Sequence, residues 1–283
     1  MTYDAIEVVP LTGALGAEVR GVDLSQSLSN RVKSQIHQAF LDHLMIFFRD
    51  QTLEPERHVE IARQFGKPAI YPFLKGLDSA PEINVLLKTE ADTVNFGGVW
   101  HSDTAYKDCP DMGTLLYAHE VPLAGGDTLF ANMYMAYEAL SDGMKAMIDG
   151  LVAANNSDKS YIGGRAAGLR KLEGMKGDMK DRIDTLEAEH PVVRTHPETG
   201  RRSLYVNAAH TLRFKDMTQE ESKPLIDYLC AHAVQPEFTC RLRWQPGTLA
   251  VWDNRCTQHF AVNDYSGHRR LMHRVTIEGD RPH

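Results

Sequence analysis

The residues of this chain best placed to do chemistry begin with a histidine and an aspartate two positions apart, in Trp100-His101-Ser102-Asp103. Side chains alternate along an extended strand, so the His101 imidazole and the Asp103 carboxylate would leave the same face. Such a pair is two thirds of a 2-His-1-carboxylate facial triad. That triad holds non-haem Fe(II) and leaves coordination positions open for substrate and dioxygen. A hydrogen-bonded pair at a strand end has the same spacing, and alternation does not separate the two readings. A second group lies near the C-terminus, where Trp252-Asp253-Asn254-Arg255-Cys256-Thr257-Gln258 leads to His259, and Arg270 and Arg274 follow. If 270–277 is a strand, the two arginines share one face and Leu271, His273, Val275 and Ile277 the other. Turned inward, the guanidinium groups need anionic partners, since an unpaired buried charge is strongly destabilising. Carboxylates, sulfonates and phosphates suit the arginine fork. Turned outward, they are two solvated arginines.

The elements that must position these groups follow from periodicity and turn residues. Residues 6–24 read as two short strands around Gly13 and Gly16. Ser27 or Ser29 then caps a helix carrying Val32, Ile36, Phe40 and Leu44 on one side. The apolar run 45–48 has strand length. Thr52 and Pro55 open a second helix that Gly66 stops, and 83–87 is a further strand. The loop 90–99 carries Gly97 and Gly98 into a strand holding His101. Strands are expected at 113–119, 127–130, 203–206, 238–244, 249–252, 257–261 and 270–277, with Gly125-Gly126 as a turn and helices over 133–151 and 219–234. Residues 155–188 mix glycines with dense charge and predict little contribution to a core. They read either as a surface insertion or as a lid that orders over an active site. With strands on both flanks of His101 and few helices, a mainly β fold with flanking helices is expected, an antiparallel double-sheet barrel or jelly roll. No repeat or linker divides 1–283, which reads as one domain.

Composition excludes several function classes. The 283 residues carry 31 Lys plus Arg against 38 Asp plus Glu, a net charge of −7, which argues against a nucleic-acid or anionic-membrane surface. Residues 1–10 lack the pattern of a signal peptide, and no apolar run reaches membrane-spanning length. Cys109, Cys230, Cys240 and Cys256 show no C-x-x-C spacing and suit a reducing compartment, so a cytoplasmic protein is expected. His119, His190, His196, His210 and His273 read as structural histidines, and Met133, Met135, Met144 and Met147 as helix packing. Tyr106 is a candidate for the mouth of the site, Cys256 for a buried strand position, and Asp253 and Asn254 for supporting hydrogen bonds.

Taken together, His101-x-Asp103, Gly125-Gly126-Asp127-Thr128, Trp252-Asp253-Asn254-Arg255, Gln258-His259 and the Arg270/Arg274 pair resemble the taurine dioxygenase family. These are Fe(II)- and 2-oxoglutarate-dependent dioxygenases, and they include enzymes acting on alkyl sulfates and aryloxyalkanoate herbicides. The likeness runs from Leu15-Gly16-Ala17-Glu18 to Gly279-Asp280. The resemblance implies a double-stranded β-helix in which His101, Asp103 and His259 bind iron. It further implies that Thr128 and Arg270 hold the far carboxylate of 2-oxoglutarate, and that Arg274 meets an anionic group on a small primary substrate. Dioxygen would be the oxidant, succinate and carbon dioxide would be released, and the chain would form homo-oligomers, dimers or tetramers. The pocket departs from taurine dioxygenase itself: Tyr71 stands at a histidine position, Leu74 at a tyrosine position and Gly97 at an asparagine position. These changes remove polar partners and add apolar area, so an anion with a larger or more apolar body than taurine is expected. A sulfonate, an alkyl sulfate or an aryloxy acid fits within the class. A non-catalytic barrel that binds a metal or a small anion is the reading from another class.

Overall fold

A computed structural model describes residues 3–161, 164–181 and 184–283. Its largest sheet has seven strands, in spatial order Glu7–Pro10, Ala17–Arg20, Met45–Phe48, Leu249–Asp253, Gly113–Glu120, Arg270–Ile277 and Asn84–Lys88. All neighbours in it are antiparallel except Ala17–Arg20 beside Met45–Phe48. A three-stranded sheet has Thr128–Asn132 between Thr239–Leu242 and Thr257–Ala261. One hydrophobic cluster draws on both sheets: Phe47, Leu116, Ala250, Trp252 and Met272 from the larger, Phe130 and Leu242 from the smaller. Arg270, Met272 and Arg274 are buried while Leu271 and His273 are half-buried, so the arginine face of its strand is the one turned to this shared interior. That settles the direction which alternation left open.

On the other face of the large sheet lie the helices Asn30–His43 and Pro55–Ala62. They set Ile36, Phe40 and Val59 against Ile46, Phe48, Leu115 and Val275. Ser29 caps the first helix by accepting from the Val32 N–H, and Leu44 ends it in a left-handed conformation (φ 64°). With both faces covered, all of Met45–Phe48 is buried, as its unbroken apolar run requires. Helices Met133–Glu138 and Gln219–Ala233 close another cluster, with Val192, Leu204 and Phe214 inside. The described residues form a mixed α/β fold with more strand than helix. None of their helices is long and apolar enough to cross a membrane.

Several expectations need correction. The expected 133–151 helix is two, Met133–Glu138 and Asp142–Ile148. Ser141 breaks the run because its hydroxyl accepts from the Met144 N–H and starts a new helix. Met147, expected to pack, is 60% exposed. Glu54, not Thr52, precedes the Pro55–Ala62 helix as its N-cap. A strand at Thr211–Phe214, pairing with Val152–Asn156, has no counterpart among the expected elements. The segment 155–188 does build core. Leu169, Leu172 and Met175 are buried against Tyr71, Phe73, Leu74 and Tyr106, and Arg165–Leu169 is a short helix. Its few apolar side chains are grouped on the inner side, which an average over the segment conceals. Residues 162–163 and 182–183 of this segment lie outside the described residues.

Candidate metal centre

His101 does not stand on a strand. It forms an isolated antiparallel bridge with His259: the His101 N–H donates to the His259 carbonyl at 3.1 Å, and the reverse bond is 2.8 Å. The chain then turns, with Thr104 at φ 52°, and Asp103 belongs to that turn. The two side chains converge because a backbone pair fixes one and a turn folds the other back, so the alternation argument reached a correct proximity by a wrong route. His101 Nε2 lies 3.6 Å and His259 Nε2 4.0 Å from Asp103 Oδ1, and ligand atoms of all three residues fall within 4.8 Å of one another. All three residues are buried.

The remaining atoms of these side chains are held so that the convergent ones stay free. His101 Nδ1 is 2.6 Å from the Val99 carbonyl, which orients the ring and leaves Nε2 facing inward. Thr114 Oγ1 donates to Asp103 Oδ2 at 2.6 Å, leaving Oδ1. Asn254 braces this arrangement: its Oδ1 accepts from the Asp103 N–H and from Trp252 Nε1, and its Nδ2 donates to Thr114 Oγ1 at 3.1 Å. The His259 ring packs against Trp252, with centroids 4.8 Å apart, and stacks on Phe130 at 6.1 Å.

Burial raises the Asp103 carboxyl, but His259, His101 and Arg274 around it outweigh that and hold it well below the carboxylate range. Burial, with His101 and Arg274 nearby, depresses His259 to about 3. The cluster therefore presents an anionic oxygen and a neutral imidazole, the protonation states a divalent cation requires. Cis ligand atoms around an octahedral ion are about 3 Å apart when bonds are near 2.1 Å, so a small inward adjustment would close this set on a metal. The donor set fits a non-haem Fe(II) site. A second cluster, His196, Asp253 and Cys256, does not fit one. Arg255 bonds both oxygens of Asp253, His196 Nε2 lies 3.0 Å from Oδ2, and the carboxylate is already neutralised and saturated.

The arginines differ in their surroundings. Arg274 Nη1 is 3.7 Å from Asp103 Oδ1, its guanidinium lies 4.3 Å over the Tyr71 ring, and its Nε and Nη2 are buried without a partner among the described residues. Arg270 is buried with its guanidinium 5.7 Å over Trp244, whose Nε1 donates to Thr128 Oγ1 at 2.9 Å. Burial lowers the Arg270 pKa, and Nε has no partner. Gly126 (φ 71°) lets that side chain lie flat, because a Cβ there would stand 3.4 Å from Arg270 Cδ.

A cavity of about 410 Å³ opens beside His101 and Asp103, walled by Tyr71, Phe96, Gly97, Tyr106, Tyr161, Arg165 and His210, among others. Gly97 (φ 83°) belongs to it, and a Cβ there would lie 3.4 Å from His101 Cε1. Leu74, expected beside the substrate, does not line the cavity. It is buried in the aromatic cluster and bridges to Met179. Tyr106, expected at the mouth, is 2% exposed and forms part of the wall.

The sequence assigns Arg165 no role and reads His210 as a structural histidine, yet both wall the cavity. Arg165 donates to the Ser157 carbonyl at 3.0 Å and to the hydroxyls of Tyr71 at 3.2 Å and Tyr161 at 3.4 Å, with its guanidinium over Phe73, Tyr106 and Tyr161. His210 sits with its ring 4.9 Å from Tyr106 and 6.0 Å from His101. A lone arginine in a charge-rich segment and a lone histidine after a loop carry no spacing signal.

Known proteins resemble this chain over nearly its whole length. The model of the taurine catabolism dioxygenase TauD, TfdA family matches residues 7–276. An alkylsulfatase of Acinetobacter baylyi is 35% identical over 278 residues, covering 97% of this chain and 86% of its own. An alpha-ketoglutarate-dependent sulfate ester dioxygenase of Pseudomonas putida is 33% identical, covering 98% and 91%. The crystal structure of a taurine dioxygenase from Burkholderia xenovorans superposes with a TM-score of 0.82 at 34% identity, over 99% of this chain and 93% of that one. By family match, relatives and site geometry alike, the chain belongs to the TauD, TfdA family and is an enzyme of its alpha-ketoglutarate-dependent dioxygenase class.

Proposed function

We propose that this enzyme oxidises a small organic monoanion, an alkyl sulfate ester with an apolar chain, using Fe(II), 2-oxoglutarate and dioxygen. The observation that carries the substrate reading is Arg274. It is buried and stacked on Tyr71 and lies 3.7 Å from Asp103, both of which line the cavity, and two of its nitrogens lack partners among the described residues. The names of two relatives, an alkylsulfatase and a sulfate ester dioxygenase, support the sulfate ester over the sulfonate and aryloxy acid alternatives. Gly97 and the Tyr71 and Phe96 rings leave room for a carbon chain and provide no amine partner of the kind taurine would use. His101, Asp103 and His259 hold the metal, while Thr128 and Arg270 take the far carboxylate of 2-oxoglutarate. When bound, the iron supplies oxidative decarboxylation of 2-oxoglutarate to succinate and carbon dioxide, with transfer of one oxygen atom to a substrate C–H. Arg274 fixes the sulfate so that the carbon bearing the ester oxygen faces the metal. Tyr71, Phe96 and Tyr106 keep bulk water from that carbon. Hydroxylation there gives an adduct that collapses to an aldehyde and hydrogen sulfate.

On this reading residues 1–283 form one domain around a double-stranded β-helix, and 155–188 serve as its lid. Tyr161, Arg165 and Leu172 of that segment already wall the cavity. The test is succinate formation by the Fe(II)-loaded enzyme with a panel of alkyl sulfates, sulfonates and aryloxy acids. Sulfate release from medium-chain alkyl sulfates is expected, and His101→Ala should abolish it. Efficient sulfite release from taurine, or activity undiminished in His101→Ala, would overturn the assignment.

A further inference from the structure

Beside Arg270 lies a second buried cation that none of the preceding roles uses. Lys88 is directly opposite Arg270 in the antiparallel pairing of Asn84–Lys88 with Arg270–Ile277, so the two side chains leave the same face as neighbours. Lys88 is 5% exposed, and its Nζ is buried with no hydrogen-bond partner among the described residues. Its ammonium makes a cation–π approach to Tyr265, 4.5 Å from the ring centroid. Arg270 Nε is likewise unpartnered. Asp127, the carboxylate whose charge reaches Arg270, is already bonded to Arg241 at 2.5 Å. Two adjacent buried cations whose nearest carboxylate, Asp127, is shared with Arg241 repel each other and lack the acceptors that water would have given them, an arrangement folding does not favour unless a further anion belongs between them. Lys88 and Arg270 both border a gap of about 20 Å³, together with Asn95, Phe96 and Tyr265. That is space for one or two water-sized groups, the size of a carboxylate head.

We propose that Lys88 is a second cationic anchor for the distal carboxylate of the 2-oxo acid cosubstrate, making this site selective for a dianionic acid. The inference rests on the reading of Arg270 as the first anchor. Arg270 approaches the carboxylate from its own strand and the Lys88 ammonium from the neighbouring one. The cosubstrate end of the site is thereby doubly charged, whereas the substrate end relies on Arg274.

The test is calorimetric titration of the Mn(II)-loaded enzyme with N-oxalylglycine, an inert dicarboxylate analogue of 2-oxoglutarate. A parallel titration uses 2-oxovalerate, which keeps the chelating end and lacks the distal carboxylate. Lys88→Met preserves the side-chain volume over Tyr265. It should weaken N-oxalylglycine by about tenfold or more, the effect of one charge-assisted hydrogen bond, and leave 2-oxovalerate within twofold. Lys88→Gln, which keeps polarity without charge, should show the same loss and reads the quantity if the apolar variant folds poorly. Lys88→Arg, which keeps the charge but changes its shape, should lose less N-oxalylglycine affinity than either neutral variant. N-oxalylglycine affinity within twofold of the parent in either neutral variant, with Arg270→Met losing it, overturns the role of Lys88 alone. Unchanged affinity in Arg270→Met overturns both.

Discussion

Replacing Thr114 by valine tests the idea that the metal centre is held by its supporting hydrogen bonds. Valine keeps the shape of threonine and removes one hydroxyl. That hydroxyl donates to Asp103 Oδ2 at 2.6 Å and accepts from Asn254 Nδ2 at 3.1 Å. Losing a bond to a charged acceptor costs about 1.5–3 kcal/mol, and a buried amide donor left without an acceptor adds about 1–3 kcal/mol. Part of this appears as stability: a loss of about 2 kcal/mol lowers Tm by roughly 3–4 °C in a chain of this size. The rest appears at the metal. Asp103 Oδ2, freed from Thr114, can rotate toward the ion or toward Arg274 Nη1, which is 3.7 Å from Oδ1, and the ligand set is no longer pre-oriented. Loss of such a supporting partner lowers metal affinity about 10–100-fold, equivalent to about 1.4–2.7 kcal/mol. The assay is Mn(II) titration of the apo-enzyme by calorimetry, with Thr114→Ser as the variant that restores the hydroxyl. Thr114→Val with reduced Tm but metal affinity within twofold of the parent would show that the hydroxyl supports the fold and not the metal site.

Two further expectations concern the lid and pH. Arg165→Met removes three hydrogen bonds and a guanidinium packed among Phe73, Tyr106 and Tyr161, so proteolytic cleavage within 155–188 should quicken by on the order of tenfold and the substrate KM should rise. Cleavage and KM equal to the parent would contradict the lid. His58 is buried with neither ring nitrogen partnered among the described residues; burial, with His273 and His119 nearby, lowers its pKa to about 3. The unfolded chain takes up that proton near pH 6.5 and the folded chain only near 3. The contribution of His58 is therefore complete above about pH 6.5 and falls by about 1.4 kcal/mol per pH unit as pH drops toward 3. His58→Met should flatten the fall of Tm between pH 6.5 and 4.5, and parallel curves for parent and variant would refute the assignment.

Local pattern and spacing determined a good deal by themselves. The runs 45–48, 257–261 and 270–277 are strands at those limits because short β-branched and aromatic stretches admit little else. Ser27 or Ser29 marked a helix start because a serine hydroxyl can satisfy a free N–H, and the fold uses Ser29. The order of His101, Asp103, Thr128, His259, Arg270 and Arg274 named the reaction class through family resemblance. Tertiary structure decided what depends on contacts distant in sequence. Alternation put Arg270 and Arg274 on one face, but only the packing of two sheets turned that face inward. The His101–Asp103 convergence comes from a bridge to His259, 158 positions away, whose backbone no spacing rule sees. Arg165, His210 and Lys88 became visible only once a cavity wall or a cross-strand neighbour gave each lone side chain a context. Leu74 moved out of the site for the same reason, since a residue's chemistry shows in the sequence whereas its neighbours are chosen by the fold.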